Sequence, residues 1–480
     1  MDILNQEQGV LKAKQQFDAL LQSIEEHTQQ QTRIDRVERS LFADLQALGL
    51  TLLQTFATAA GAGDQGEQTT LGERTLSRSE KPQRRWYRSV FGKLAIWRWV
   101  YRRGPKQKIE HAPTDARLGL PHGECSYVLE DWQQRLGVQV PFAPATEGLA
   151  AVLGTSVSVQ TAEEMNVRMA AHAESFRLQQ AAPATPEAAT ILVATADGTS
   201  VPMRREDSTT QPSLQAGARS GTTRRAYVGG VYAIEPFVRQ PQEVLDELFR
   251  QQAAARRPTP CGKRLWAEMA AAEEDSGSEF VFIEMAIDLK TRDPAKEQTL
   301  VCLMDGERKL WDLQSQWLGR AVEILDFFHV LERVREVAKV VHPGDKSSRE
   351  AWVSDQASDL LSGKVETVIR RWRRLSGASV GWSASQQETV RSAIRYFCNN
   401  RRRMDYGEYL ASGYPIGSGT AEGACRNLVK DRLDRTGMHW RFPGARAMLK
   451  TRALYLNGEW DEFVEYRIQK EQESLYQTAA

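Results

Sequence analysis

The chain has 480 residues, 41% hydrophobic and 26% charged, ordinary values for a globular protein of roughly two to four domains. No apolar run approaches the ~18 residues that span a bilayer, and the opening MDILNQEQGV lacks the basic-then-apolar pattern of a secretory leader. Five scattered cysteines (Cys125, Cys261, Cys302, Cys398, Cys425) without a CxxC pair indicate neither a disulfide framework nor a thiolate zinc site, so a cytoplasmic protein with no membrane partner is expected.

The first 60 residues read as helix, with Leu11, Phe17, Leu20, Leu21 and Ile24 at helical spacings. A self-associating coiled coil or bundle and a plain helical hairpin both fit. GAGDQGEQ (61–68) then marks a joint. Net charge is only +1, but it hides a dense basic stretch: Arg74, Arg78, Lys81, Arg84, Arg85, Arg88, Lys93, Arg98, Arg102, Arg103, Lys106 and Lys108 face Glu80 alone. Within it, residues 86–101 alternate cations with aromatics around Phe91-Gly92-Lys93. This predicts a hairpin with one apolar and one cationic face, an electrostatic pattern suited to nucleic acid.

Residues 127–176 read as helices, and the break at Gly154 before a second helix capped near Thr161 is compatible with a helix-turn-helix. An Ala/Pro linker over 179–188 suggests a domain boundary. Short strands are expected at 191–194, 227–234, 279–287 and 300–304, followed by mostly helical chain over 318–409. The stretch 414–440, YPIGSGTAEGACRNLVKDRLDRTGMHW, places a glycine-rich turn before a helix. Ser418 or Thr420 would cap that helix, and Glu422 would lie in its first turn.

Two strands end in Asp-Gly, at Asp197 and Asp305, where α/β sheets place ligand groups. With Glu422 they form a set of hard oxygen donors suited to Mg²⁺ or Mn²⁺. Two such ions can serve phosphoryl transfer. Competing chemistries lack essential letters: Thr195 stands where an aspartyl-phosphate mechanism needs its nucleophile, and Ile416 where a serine-hydrolase elbow needs glycine. GxGxxxG over 417–423 has no convincing strand before it for a dinucleotide site.

The runs DGTSVPMR, VYAIEP, LMDGERKLWDL, ILDFFHVLERV and the 414–440 stretch resemble bacterial insertion-sequence DDE transposases of the ISKra-four family, Mutator-like enzymes. The resemblance spans about 85–465. It implies a multidomain α/β plus α protein, with a ribonuclease-H-like mixed sheet interrupted by an all-helical insertion. Helical and hairpin or helix-turn-helix-like DNA-binding regions would precede that core.

By position, Asp197, Asp305 and Glu422 become the catalytic and metal-binding triad for two Mg²⁺ (or Mn²⁺) ions, with Asp326 and His329 as an accessory D-x-x-H pair on one helix face. Expected DNA contacts are Arg84, Arg85, Arg88, Arg98, Arg102 and Arg103, then Arg401, Arg402, Arg403, Arg426, Lys430, Arg432, Arg435 and Trp440. The expected regions are 1–70 (helical, self-association), 71–185 (DNA binding), 186–330 and 413–480 (catalytic), and 331–412 (helical insertion). The implied partners are double-stranded DNA, as transposon ends and target, and further copies of the chain, at least a dimer on DNA. The implied setting is the bacterial nucleoid. A domesticated DNA-binding protein and a stand-alone nuclease on the same fold are the alternatives.

Overall fold

The computed structural model describes residues 6–207, 222–249, 257–270, 276–378, 381–417, 419, 423, 425–435 and 437–476. The chain divides into two compact units, Met1–Arg177 with Glu459–Ala480, and Leu178–Gly458. Their boundary falls at the start of the predicted linker.

In the first unit, helices α1 (Gln6–Gln29) and α2 (Ile34–Ala59) form an antiparallel hairpin, broken at Gln31, which adopts φ +51°. Strands β1 (Gln68–Leu71), β2 (Arg74–Arg78) and β5 (Tyr101–Arg102) make a three-stranded sheet. Strands β3 (Gln83–Ser89) and β4 (Gly92–Arg98) pair antiparallel as the expected hairpin. Its inward face carries Leu94 and Ile96, which pack with Ala57 and Leu120. Short helix α3 (Pro113–Arg117) precedes α4 (Tyr127–Gly137), α5 (Phe142–Leu153), α6 (Val159–Ala170) and α7 (Ala173–Arg177). Gly154 ends α5 at φ +63°, and Ser158 rather than Thr161 caps α6, accepting from the Thr161 N–H. The C-terminal helix Trp460–Tyr476 also belongs to this unit, bound through Arg467 to Glu130 of α4 at 2.8 Å.

The second unit is built on a mixed five-stranded sheet. β6 (Ile191–Pro202), β7 (Thr223–Ile234) and β8 (Cys261–Met269) form an antiparallel meander. β9 (Thr299–Met304) and β10 (Val322–Leu325) extend it parallel to β6, giving the order β10-β9-β6-β7-β8. α8 (Pro241–Leu248) follows β7. Side chains alternate across the sheet. Ala194, Ala196, Cys302 and Met304 face Val281, Phe282 and Met285 of α9 (Ser276–Arg292) and Trp311 of α10 (Arg308–Trp317). Val193, Val301, Leu303 and Ile324 face the helical layer of α11 (Phe327–Val341), α12 (Lys346–Leu361), α13 (Val365–Gly377), α14 (Ala384–Asn400) and α15 (Tyr406–Ala411).

Three expectations are corrected here. Residues 279–287 form helix, not strand: Ser278, Val281, Phe282, Met285 and Asp288 are buried at helical spacing against the sheet. Strands β8 and β10 were not anticipated. β10 is only four residues long, and within 318–409 it breaks a chain that otherwise reads as helical. Asp197 does not end its strand. Pairing with β7 carries β6 on to Pro202, whereas its parallel pairing with β9 stops at Ala194–Cys302.

Among the described residues, no helix is long and apolar enough to cross a membrane. All five cysteines are free.

Candidate active site

Residues 194 of β6 and 302 of β9 are direct partners. Three residues beyond this last pair come Asp197, still within β6, and Asp305, the first residue after β9. Both continue the alternation that points Val193 and Val301 to the α11–α15 side of the sheet. Their proximity is electrostatic as well as topological. Burial, and then the Asp197 charge, push the Asp305 carboxyl above its ordinary range, while His329 and Arg225 pull it back. The Asp305 carboxylate accepts from the Glu307 N–H at 2.9 Å, and its carbonyl accepts from the Trp311 indole at 2.7 Å. These bonds fix the turn leaving β9.

Asp326 is wholly buried and is the N-cap of α11, accepting from the N–H groups of Phe328 (2.6 Å) and His329 (3.3 Å). It therefore does not share a helix face with His329, as the D-x-x-H spacing suggested. Its own N–H donates to Met304 O at 2.9 Å, and the next N–H, of Phe327, donates to Ile416 O at 2.8 Å. The start of α11 thus ties the end of β9 to the glycine-rich loop. Gly417 is needed there because a Cβ would fall 2.5 Å from the Phe328 ring, not because of an unusual backbone angle.

Glu422, like the proposed caps Ser418 and Thr420, lies outside the described residues. Both flanks are described. On one side Ile416 is bound at α11 beside Asp305. On the other, the buried Cys425 thiol neighbours the Asp197 carboxylate, and burial, followed by that negative charge, raises the thiol's pKa. Residues Cys425–Lys430 form a π-helical turn where an α-helix was expected. Such turns often occur at functional sites.

Several neighbours escaped the sequence reading. Arg225 pairs with Glu307 and lies over Gly198. Tyr396 of α14 packs on Gly306, and burial raises its phenol. Glu307 was visible in LMDGERKL as a second acid behind Asp305; Arg225 and Tyr396 had no comparable local signal.

The predicted DNA contacts separate by burial. In the first unit, Arg85 (2.6 Å) and Arg98 turn onto the apolar face and pair with buried Asp115. Arg84 and Lys93 lie over Trp86 at 4.3 and 4.5 Å on the opposite face. Arg88 donates to Ser156 O, Arg102 to Gln83 at 3.2 Å, and Arg103 pairs with Glu110 at 2.8 Å.

In the second unit, Arg403, Arg432 and Trp440 are buried, which corrects their reading as phosphate or base contacts. Arg403 binds Glu323 at 2.6 Å and covers Trp311, and Arg432 lies 5.0 Å from the Trp440 ring. The Trp440 indole donates to Leu433 O at 3.0 Å. Arg401, Arg402, Arg426, Lys430 and Arg435 are exposed. No model of a known protein family and no curated protein matches the chain.

Two tests follow from this geometry. Asp326→Ala removes a buried cap and is expected to cost about 1–2 kcal/mol in denaturant unfolding, whereas Asp326→Asn, which can still cap, retains most of that stability. Loss of activity in a stable Asp326→Asn protein would instead mark the carboxylate as chemically required. The second test concerns pH. Because Asp305's folded pKa is raised, its ionisation costs stability as pH rises through that value, so Asp305→Asn is expected to stabilise the ion-free protein near neutrality. An ion that binds the carboxylate competes with the proton for it. Binding therefore weakens as pH falls through the raised pKa, and calorimetry in buffers of differing ionisation enthalpy should detect the released proton.

Proposed function

We propose that this chain is a metal-dependent DNA transposase of the DDE type, with a ribonuclease-H-like core. It would bind insertion-sequence ends, cleave them and join them to target DNA. The observation that carries this proposal is the proximity of Asp197, on β6 beyond its last pair with β9, to Asp305, which directly follows β9, with the two flanks of the Glu422 segment held nearby. An antiparallel three-strand meander extended by two parallel strands suits a ribonuclease-H-like sheet. Helices α11–α15, between β10 and the glycine-rich loop, occupy the place of the expected insertion.

The donor chemistry fits hard divalent ions. Asp197 and Asp305 offer carboxylate oxygens at one end of the sheet, where burial first, and the Asp197 charge after it, raise the Asp305 pKa. Among the described residues no group of three such ligands is present; Glu422 would be the third. Mg²⁺ or Mn²⁺ bound there would lower the pKa of a nucleophilic water and neutralise charge on the phosphate.

The protein's own residues would hold the strand in line. Asp326 fixes the β9–α11 corner, and exposed Arg426, Lys430 and Arg435 would contact backbone phosphates. In the first step a water oxygen bonds to phosphorus as the P–O3′ bond breaks, leaving a 3′-hydroxyl and a 5′-phosphate. In the second, that hydroxyl attacks a target phosphodiester and displaces its 3′ oxygen.

The test is cleavage of duplexes carrying the terminal inverted repeats that flank the coding sequence, with Mg²⁺ or Mn²⁺. The expected result is end-specific 3′-hydroxyl formation that Glu422→Ala abolishes. Undiminished cleavage by Glu422→Ala would overturn the proposal, and cleavage without strand transfer would favour a stand-alone nuclease.

A further inference from the structure

The glycine-rich loop also borders a cavity that the proposed chemistry leaves unused. Its volume is about 360 Å³, within the range of small-molecule sites. Backbone hydrogen bonds build its walls. The chain leaving β7 is tied to the end of α15 and the turn after it: the Arg239 N–H donates to Leu410 O at 3.1 Å and the Phe237 N–H to Gly413 O at 2.9 Å. Gly413 adopts φ +75°, and a Cβ there would fall 2.7 Å from the Phe237 nitrogen, so a side chain would force these walls apart. Phe327 and Phe328 of α11, with Ile416 and Gly417, also line the cavity. It therefore shares a wall with the corner at which Asp326 caps α11.

The lining combines flat rings with cations. Phe237, Phe328 and Tyr414 stand with the guanidinium groups of Arg239 and Arg257. Phe328 is 39% exposed despite its size, so its ring is open to a ligand. Arg257 pairs with Glu247. The Arg239 Nε is buried and has no hydrogen-bond partner among the described residues. Burial first, and then the Arg257 charge, lower the Arg239 pKa, while Glu247 and Glu243 draw it back. A buried cationic donor without an acceptor is costly, and an anion in the cavity would satisfy it. Glu235, exposed at the rim, is able to accept from an amino or hydroxyl group of the same ligand.

We propose that this cavity takes a single nucleotide, its base among the aromatic rings and its phosphate on Arg239. Bases of any sequence stack on aromatic side chains, and the planar fork of a guanidinium matches phosphate oxygens. A wholly apolar ligand would leave Arg239 unsatisfied, and a bare phosphate would leave the rings uncovered. The nucleotide has two possible sources: free in solution, or swung out of a DNA strand held at the neighbouring carboxylate corner. The second source rests on the proposed function; the binding itself does not.

The test is equilibrium dialysis of the full chain against dAMP with excess chelator, so that no metal ion bridges the phosphate to the carboxylates. Saturable binding is expected, at least about tenfold tighter than that of deoxyribose 5-phosphate, which lacks the base. Arg239→Gln should weaken dAMP binding at least about tenfold and leave that of deoxyadenosine unchanged, whereas Phe328→Ala should weaken both. If Phe328→Ala lowers helical circular dichroism, Phe328→Leu, which keeps the bulk without the flat ring, takes its place. A second arm identifies the source. A single-stranded oligonucleotide that displaces dAMP, where its abasic counterpart does not, marks a strand; dAMP retained against both marks the free nucleotide. No binding, equal binding of dAMP and deoxyribose 5-phosphate, dAMP binding that both substitutions leave intact, or tighter binding of a peptide ending in a phenylalanine carboxylate overturns the proposal. Because dialysis needs neither metal nor cleavage, failure of this cavity and failure of the proposed chemistry are distinguishable.

Discussion

Asp305→Ala is expected to reduce metal-dependent cleavage of cognate ends by at least ~10³-fold, about 4 kcal/mol of transition-state stabilisation. The side chain is half-buried, anchored by the Glu307 N–H and set beside Asp197. Under the proposed function, alanine would remove both a donor to the ion and the charge that would retain it. Asp197→Ala should have a comparable effect, since Asp197 would be the second carboxylate of the same ion site. Stability separates this outcome from unfolding. Because ionised Asp305 is held against burial and a like charge, its removal should leave the melting temperature unchanged or higher. An inactive protein with a sharply lowered melting temperature would show only damage to the fold, whereas a stable, fully active Asp305→Ala protein would refute the site.

The largest effect on stability is expected from Glu130→Ala, at about 3–5 kcal/mol. Glu130 is 2% accessible and accepts from Arg168 and Arg467, each at 2.8 Å, and Arg467 is itself 0% accessible. Truncation leaves the Arg467 guanidinium buried without its main counter-ion, which costs far more than the pair contributes. The helix Trp460–Tyr476 is held at this point, so the same variant should become sensitive to proteolysis near residue 460. Denaturation followed by tryptophan fluorescence and timed trypsin digestion would measure both; a loss below about 1 kcal/mol would show that the helix is held chiefly by Trp460 and Phe463.

The parts of this architecture legible in the sequence are those set by local pattern. The β3–β4 hairpin follows from alternation around Phe91-Gly92-Lys93, and strands β6, β7 and β9 from apolar runs bounded by Asp-Gly or Pro. The adjacency of Asp197 and Asp305 could be suspected from their similar contexts, yet it is made by strand register, which no local pattern states. EFVFIEMAI is equally apolar as strand or helix, and its burial against two tryptophan-bearing layers selects helix. Arg432, Arg403 and Trp440 show the converse limit. A cation or indole in a basic stretch carries no mark of the face it will occupy: Arg403 turns inward to Glu323, far away in sequence, while Arg432 and Trp440 turn inward against each other. Asp326 reads as half of a motif, whereas its carboxylate is engaged by the N–H groups that open α11.

The hydrogen bond from Phe327 to Ile416 also closes a ring, because the whole of α11–α15 hangs between its two ends. Loop-closure cost grows only logarithmically, about 0.6 kcal/mol for each doubling of length. The carboxylate corner is therefore nearly indifferent to how much chain the ring contains. An added module spliced into an exposed turn such as that at Gly344, where φ is +91°, should leave the corner assembled. The α11–α15 layer is thus a tolerant site for grafting a reporter or a new targeting domain.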